Sequence, residues 1–314
     1  MNQVIDPQLE PLLAAFETDE VPPLTVLSVK DARARLKEIA QYPSPKPEGM
    51  VQDIAIDGPE QDIPVRLYTP PSSGPHPVFI YFHGGGFVLG DLDTHDNICQ
   101  SISNRGEILV VSVDYRLAPE HPFPKPLRDA YQATTWAHEN ADSFGGDPDY
   151  LAIGGTSAGG NLAAAVSLLA RDHHSPMITH QILAYPFLNA SGTMFEWPSY
   201  DENDGYIIEK DGLDWSADHY IQDSIHRRNQ YASPILAHDL TDLPRTTTIT
   251  AGFDPLRDEG QEFADRLSKS GVESSNLHYP MMSHMFLSFL GMVDTADEGL
   301  NDIIDEIQDS YGDT

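Results

Sequence analysis

One short stretch constrains this chain more than any other. An apolar run, Leu151-Ala152-Ile153, meets Gly154-Gly155, then Thr156-Ser157-Ala158, then Gly159-Gly160-Asn161. An alanine- and leucine-rich pattern follows from Leu162 to Ala165. The order demands a strand, an abrupt turn and a helix. Gly155-x-Ser157-x-Gly159 has the spacing of a corner that holds one serine in a strained backbone conformation between neighbours with almost no side chain. A serine displayed in this way is a candidate nucleophile. Five residues are a weak signal by themselves, and a tightly packed glycine turn reads the same way. A nucleophile also needs a base, an acid to orient that base, and donors for the charge that develops on the substrate.

The donors have a candidate upstream. His83-Gly84-Gly85-Gly86-Phe87 follows directly on the continuous apolar run Val78–Phe82. Three glycines leave backbone N–H groups uncovered and free to point at an anion. Loss of one such donor typically costs about 10²- to 10³-fold in rate. A phosphate-cradling loop is the competing reading. It lacks the Gly-Lys-[Ser/Thr] ending and an acidic ribose partner at the expected offset, so nucleotide binding is set aside. With a serine in a strand-to-helix corner, acid and base follow it in the order Ser, Asp or Glu, His. The run Thr246–Ala251 ends at Gly252-Phe253-Asp254, which makes Asp254 the natural acid; Asp258, inside the next helix, is the alternative. The strand Asn276–Tyr279 leads into Pro280-Met281-Met282-Ser283-His284. His284 lies just past that strand and is the candidate base. His278 would point from within the strand and reads as structural.

The remaining pattern is an alternation of strands and helices. Val51–Asp57 and Ile63–Tyr68 read as a hairpin-like pair around Asp57-Gly58-Pro59. Buried strands are expected at Val78–Phe82, Ile108–Val113, Leu151–Gly154, Ile178–Tyr185 and Thr246–Ala251. Helices are expected at Thr94–Asn104, Leu127–Glu139, Pro255–Lys269 and Val293–Gln308. This is an α/β fold with a mostly parallel sheet flanked by helices. Two segments break the rhythm. Residues 1–47 hold two helical patterns, Leu9, Leu12, Leu13 and Phe16, then Ala32, Leu36 and Ile39 opened by Ser28 with Asp31 three residues on. Asn189 to Asp223 is rich in aromatic and acidic residues and reads as an insertion near a ligand opening. The expected organisation is N-terminal cap helices over 1–47 and a catalytic domain over 48–314, interrupted by a cap insertion at about 190–225.

Charge and cysteine usage narrow the setting. The 18 basic and 49 acidic residues leave a net charge of −31, which argues against nucleic acid and anionic membrane as partners. Lysine is scarce, and adaptation to salt is the sharper reading of this excess. Met1 to Glu20 has no basic flank before an apolar run, so no secretory signal is expected. The longest apolar stretch, Leu162 to Ala170, is too short to span a bilayer. The single Cys99 fits a reducing, cytoplasmic compartment. Asp91, Asp93, His95 and Asp96 invite a metal reading, but acids suit the N-terminus of the helix that opens there.

Four blocks in order carry a resemblance: His83-Gly84-Gly85-Gly86-Phe87; Asp114-Tyr115-Arg116-Leu117-Ala118-Pro119-Glu120 with Pro122-Phe123-Pro124; Gly155-Thr156-Ser157-Ala158-Gly159-Gly160-Asn161; and Asp254-Pro255-Leu256-Arg257-Asp258-Glu259-Gly260. From about residue 48 the chain resembles the hormone-sensitive-lipase family of α/β-hydrolases, in its bacterial and archaeal esterase branch. The resemblance implies a cap built from N-terminal helices and an insertion. It implies a Ser157–His284–Asp254 triad, with oxyanion donors from the Gly84–Gly86 loop, Gly85 and Gly86 foremost, and from Ala158. It implies hydrolysis of short- to medium-chain esters without metal or cofactor, an ester of low molecular mass as partner, and a homodimer as the candidate assembly. An amidase or deacetylase would use the same machinery. A silent ligand-binding relative would lack the histidine that this chain keeps. Two departures stand out. Thr156 replaces the aspartate of many members, as in a recognised Gly-Thr-Ser-Ala-Gly subgroup. Met281 and Met285 replace glycines usual around the histidine and are expected to narrow or re-aim the pocket beside His284, which bears on substrate preference and not on the base.

Overall fold

The computed structural model describes residues 4–16, 22–192 and 197–313, with backbone alone at 15 and 16. Eight strands form one sheet: β1 (Met50–Ile56), β2 (Ile63–Thr69), β3 (His76–Phe82), β4 (Leu109–Val113), β5 (Gly146–Thr156), β6 (His180–Ala184), β7 (Arg245–Phe253) and β8 (Ser274–Ser283). Their spatial order is β1-β2-β4-β3-β5-β6-β7-β8. β1 pairs with β2, and β2 with β4, in antiparallel fashion, with Ile56 opposite Ile63 at the hairpin end. Every other pairing is parallel. The apolar runs sort accordingly. All residues of β3, β4 and β6 are buried, because helices cover both faces of the parallel part.

The helices are α1 (Glu10–Phe16), α2 (Val29–Ile39), α3 (Asp96–Gly106), α4 (Lys125–Asn140), α5 (Ala158–His173), α6 (Ser199–Glu202), α7 (Lys210–Tyr220), α8 (Arg257–Lys269) and α9 (Asp294–Gly312). One apolar cluster, holding Leu127, Leu162, Val166 and Phe263, joins α4, α5 and α8 to the sheet. The other, holding Ile98, Ile102, Leu300 and Ile304, joins α3 and α9 to it. Cys99 is buried in α3. Among the described residues no helix is long and apolar enough to cross a membrane.

The two segments outside the alternation behave differently from each other. Ser28 caps α2 by accepting from the Asp31 N–H, as its sequence suggests. Residues 22–39 then line the large cavity above the sheet. The described side chains of α1 do not line it. Leu9 and Leu13 instead join the α3–α9 cluster, while the Asp6 N–H donates to the Met281 carbonyl (3.0 Å). Among the described residues the first helix packs beside α3 and α9, and the second lines the cavity. The side chain of Phe16 lies outside the described residues. α6 and α7 fall in the insertion, and Ile207, Ile208, Leu213 and Ser216 line the same cavity.

Candidate active site

Ser157 sits at φ 54°, ψ −116°, between the last residue of β5 and the first of α5. A non-glycine residue there costs about 1–3 kcal/mol and persists only where its surroundings hold it. They do. Its N–H donates to the Ala184 carbonyl at 2.9 Å, and its carbonyl accepts from the Phe187 N–H at 3.0 Å. The glycines around it are forced by close approach. A Cβ at Gly155 would fall 2.2 Å from the Phe82 carbonyl oxygen, and one at Gly159 would fall 1.9 Å from the same atom.

The later strand ends deliver the other two groups. Asp254 follows β7 and is fully buried; His284 follows β8 and is 2% exposed. His284 Nδ1 lies 2.8 Å from Asp254 Oδ2, and His284 Nε2 lies 3.1 Å from Ser157 Oγ. The Leu256 N–H occupies Asp254 Oδ1 at 2.8 Å, so the carboxylate is fixed with its other oxygen toward the ring. An ionised carboxylate only accepts, which puts the imidazole proton on Nδ1 and leaves Nε2 to accept from the serine hydroxyl. The edge of the Tyr185 ring meets the His284 ring, with centroids 4.8 Å apart.

The glycine loop after β3 turns through left-handed backbone at Gly85 (φ 117°), Gly86 (φ 60°) and Phe87 (φ 65°). Gly85 needs its glycine for space as well, since a Cβ would lie 2.2 Å from the Leu89 carbonyl oxygen. The Gly84 N–H donates to His95 Nε2 at 3.2 Å. Among the described residues the N–H groups of Gly85, Gly86 and Ala158 have no such acceptor. The loop rests on the insertion: Phe87 stacks on Tyr220 of α7 with ring centroids 3.7 Å apart, and a Cβ at Gly86 would lie 2.4 Å from Ser216 Oγ. Ser157, His284 and Gly84–Gly86 open into a cavity of about 270 Å³ whose walls are mostly apolar, with Leu24, Leu27, Leu36, Ile39, Leu89 and Met285 among them.

An α/β-hydrolase-fold family model matches residues 79–288, two thirds of the chain, and spans the glycine loop, the serine corner, Asp254 and His284. The chain belongs to the α/β-hydrolase family. Two relatives match over most of their own length. Carboxylic ester hydrolase LipN of Mycobacterium tuberculosis is 37% identical over 98% of this chain and 83% of its own. The arylesterase of Saccharolobus solfataricus is 35% identical over 90% of this chain and 92% of its own. Among solved structures, the hyperthermophilic esterase of the archaeon Pyrobaculum calidifontis aligns with a TM-score of 0.89 at 35% identity, covering 98% of this chain and 99% of that one. An ester hydrolase from the Lake Arreo metagenome, complexed with a bipyridine phosphonate derivative, reaches 0.92 at 34% identity over 98% of this chain and 100% of that one.

Within this α/β-hydrolase the sequence expectations separate. Ser157, Asp254 and His284 come together. Asp258 does not join them: it pairs with Arg257 at 2.7 Å and accepts from the Ser199 N–H at 2.9 Å. His278 Nδ1 lies 3.0 Å from Thr250 Oγ1, within the sheet. Gly84, expected among the oxyanion donors, has its N–H donating to His95 Nε2. Met281 needs correction. It lies 42% exposed outside the cavity, and only Met285, at φ 64°, lines it. Two contributors escaped the sequence. Ser216 meets Gly86 across 130 residues of chain, and no local pattern marks it. Arg33 of α2 donates to the Val88 and Ala118 carbonyls and forms a two-pronged pair with Glu120 at 2.8 and 2.7 Å. Its only sequence signal was a cation on a polar helix face.

Proposed function

We propose that this α/β-hydrolase is a carboxylesterase that cleaves short- to medium-chain acyl esters through an acyl-enzyme on Ser157. The supporting observation is the unbroken chain from Asp254 Oδ2 through His284 to Ser157 Oγ, with uncommitted N–H groups at Gly85, Gly86 and Ala158 beside it. Ser157 Oγ attacks the ester carbonyl and passes its proton to His284 Nε2. Asp254 holds the Nδ1–H tautomer and stabilises the imidazolium that forms. The N–H groups of Gly85, Gly86 and Ala158 receive the oxyanion. His284 then protonates the leaving alcohol, and a water activated by the same nitrogen attacks the acyl carbon and releases the acid. The relatives named as esterases support the same reaction class.

The apolar walls contributed by residues 22–39 and by the insertion support an acyl chain of modest length. We assign residues 22–39 and the insertion at about 190–225 to a cap over the site, α1 to an arm packed beside α9, and the remainder of 48–314 to the catalytic domain. The single buried Cys99 supports the cytoplasm as the compartment. Hydrolysis of p-nitrophenyl esters from acetate to laurate tests the reading. We expect a maximum at acetate to octanoate and background rates for Ser157→Ala. Equal rates for wild type and Ser157→Ala, at every length, would overturn it. Anilide analogues at the same acyl length separate amidase from esterase chemistry.

A further inference from the structure

The cluster around His95 has no part in the chemistry above, and its geometry gives it one. His95 precedes α3, half-buried, and lines the cavity. Its Nε2 accepts from the Gly84 N–H at 3.2 Å. Its Nδ1 lies 3.1 Å from Thr94 Oγ1. A backbone N–H can only donate, so the Gly84 contact makes Nε2 the acceptor, and the Thr94 bonds agree with a proton on Nδ1. Thr94 Oγ1 accepts from the Asp91 N–H at 2.9 Å and donates its single proton to the Asp91 carbonyl at 2.9 Å. Its remaining lone pair can only accept, so His95 carries its proton on Nδ1. That leaves Nε2 as a bare acceptor facing Gly84. Thr156 Oγ1 stands 3.4 Å from the same Nε2 and 3.2 Å from the Tyr81 hydroxyl. A Cβ on Gly84 would lie 3.0 Å from Thr156 Oγ1, so the loop and the serine corner touch at this point.

We propose that His95 is a positioning residue for the oxyanion loop: its Nε2 holds the Gly84 N–H away from the cavity and, with Thr156 beside it, fixes the Gly85 and Gly86 N–H groups relative to Ser157. The glycine loop carries three successive N–H groups, at Gly84, Gly85 and Gly86. Committing the first to an acceptor behind the loop decides which two remain. Burial pushes the His95 imidazolium down to about 3, with the nearby His83 adding to the shift and Asp91 opposing it, so the ring keeps its bare Nε2 at neutral pH. A proton there would confront the Gly84 N–H and release the loop. The role also gives Thr156 a function that a side chain without a hydroxyl could not supply.

This rests on the esterase reading, and the experiment separates the two. Full-length His95→Leu removes the acceptor; His95→Gln restores an oxygen at about the place of Nε2. For His95→Leu we expect kcat on p-nitrophenyl butyrate to fall about 10- to 100-fold, less than the full loss of one donor, with KM within about twofold. Affinity for a trifluoromethyl ketone, whose adduct carries the oxyanion, should fall in parallel. His95→Gln should recover most of both. Unchanged kcat and ketone affinity in His95→Leu, or equal losses in the two variants that track their melting temperatures, would overturn the proposal. A readout without turnover is the ¹⁵N spectrum of labelled histidine in the wild type. A proton on His95 Nδ1 and none on Nε2 supports the role even if no ester is hydrolysed, whereas the opposite tautomer contradicts it.

Discussion

Ser157, His284 and Asp254 are worth more together than separately, because each fixes the state of the next. Asp254 has one oxygen tied to the Leu256 N–H and one to the ring, so its rotation is restrained. Ser157→Ala, His284→Ala and Asp254→Asn are each expected to lower kcat on p-nitrophenyl butyrate by about 10⁴-fold or more, with KM little changed, since each removes an interaction made mainly in the transition state. A loss below tenfold in any of the three contradicts its role. Glu259 makes a different prediction at this scale. It is fully buried in α8 and accepts from the Leu188 N–H and the Tyr200 hydroxyl, both at 2.5 Å. Desolvation pushes its carboxyl up to about 8. Between the usual value of 4.5 and 8 the folded chain then holds a proton that the unfolded chain has lost, so this group's contribution to stability falls as pH rises through that window. In urea unfolding, the stability of wild type relative to Glu259→Gln should decline by about 1 kcal/mol per pH unit from pH 5 to pH 8. A difference that is flat, or that grows with pH, contradicts the buried protonated carboxyl.

At the scale of elements, the site is a meeting of strand ends beneath two borrowed helices. α2 is held down by cations: Arg33 reaches two carbonyls and Glu120, and Lys37 reaches Asp91 at 2.6 Å. Arg33→Met removes the two-pronged pair and two further bonds, part of it exposed, a loss on the order of 1–2 kcal/mol in the docking of α2. KM for p-nitrophenyl octanoate should then rise several-fold while KM for the acetate changes little, because Leu36 and Ile39 of α2 line the cavity where a longer acyl chain is expected to lie. Equal changes for both esters would remove α2 from the acyl pocket. The strands and long helices were legible because they carry unbroken apolar runs or 3.6-residue periodicity, and the triad was legible because three strand ends in fixed order must supply it. The role of α1 was not. Its apolar face looks the same whether it covers a cavity or, as Leu9 and Leu13 do, fills a seam beside α9. His95 was hidden for a related reason. Beside Asp91, Asp93 and Asp96 it reads as part of a helix start, and its partner Gly84 is recognisable only once the loop is folded. Met281 and Met285, four residues apart around the histidine, looked equivalent; the left-handed turn at Met285 sends only the second toward the cavity.

Over the whole molecule the unusual quantity is charge. A net −31 on 314 residues opposes compaction, and salt shortens the reach of that repulsion from about 10 Å at 0.1 M to about 3 Å at 1 M. The melting temperature should therefore rise by several degrees between 0.1 and 2 M NaCl, and a flat or falling curve would contradict salt adaptation. Ser157, His284 and Asp254 lie at a junction formed by the ends of β5, β7 and β8. The central claim is that this junction forms an acyl-enzyme on one serine. It is tested most directly by reacting the protein with diethyl p-nitrophenyl phosphate and mapping the adduct by mass spectrometry. The expected result is one diethylphosphoryl group on Ser157, release of one p-nitrophenol and loss of ester hydrolysis in the same proportion; modification of another residue, or full hydrolysis by the labelled protein, would contradict it.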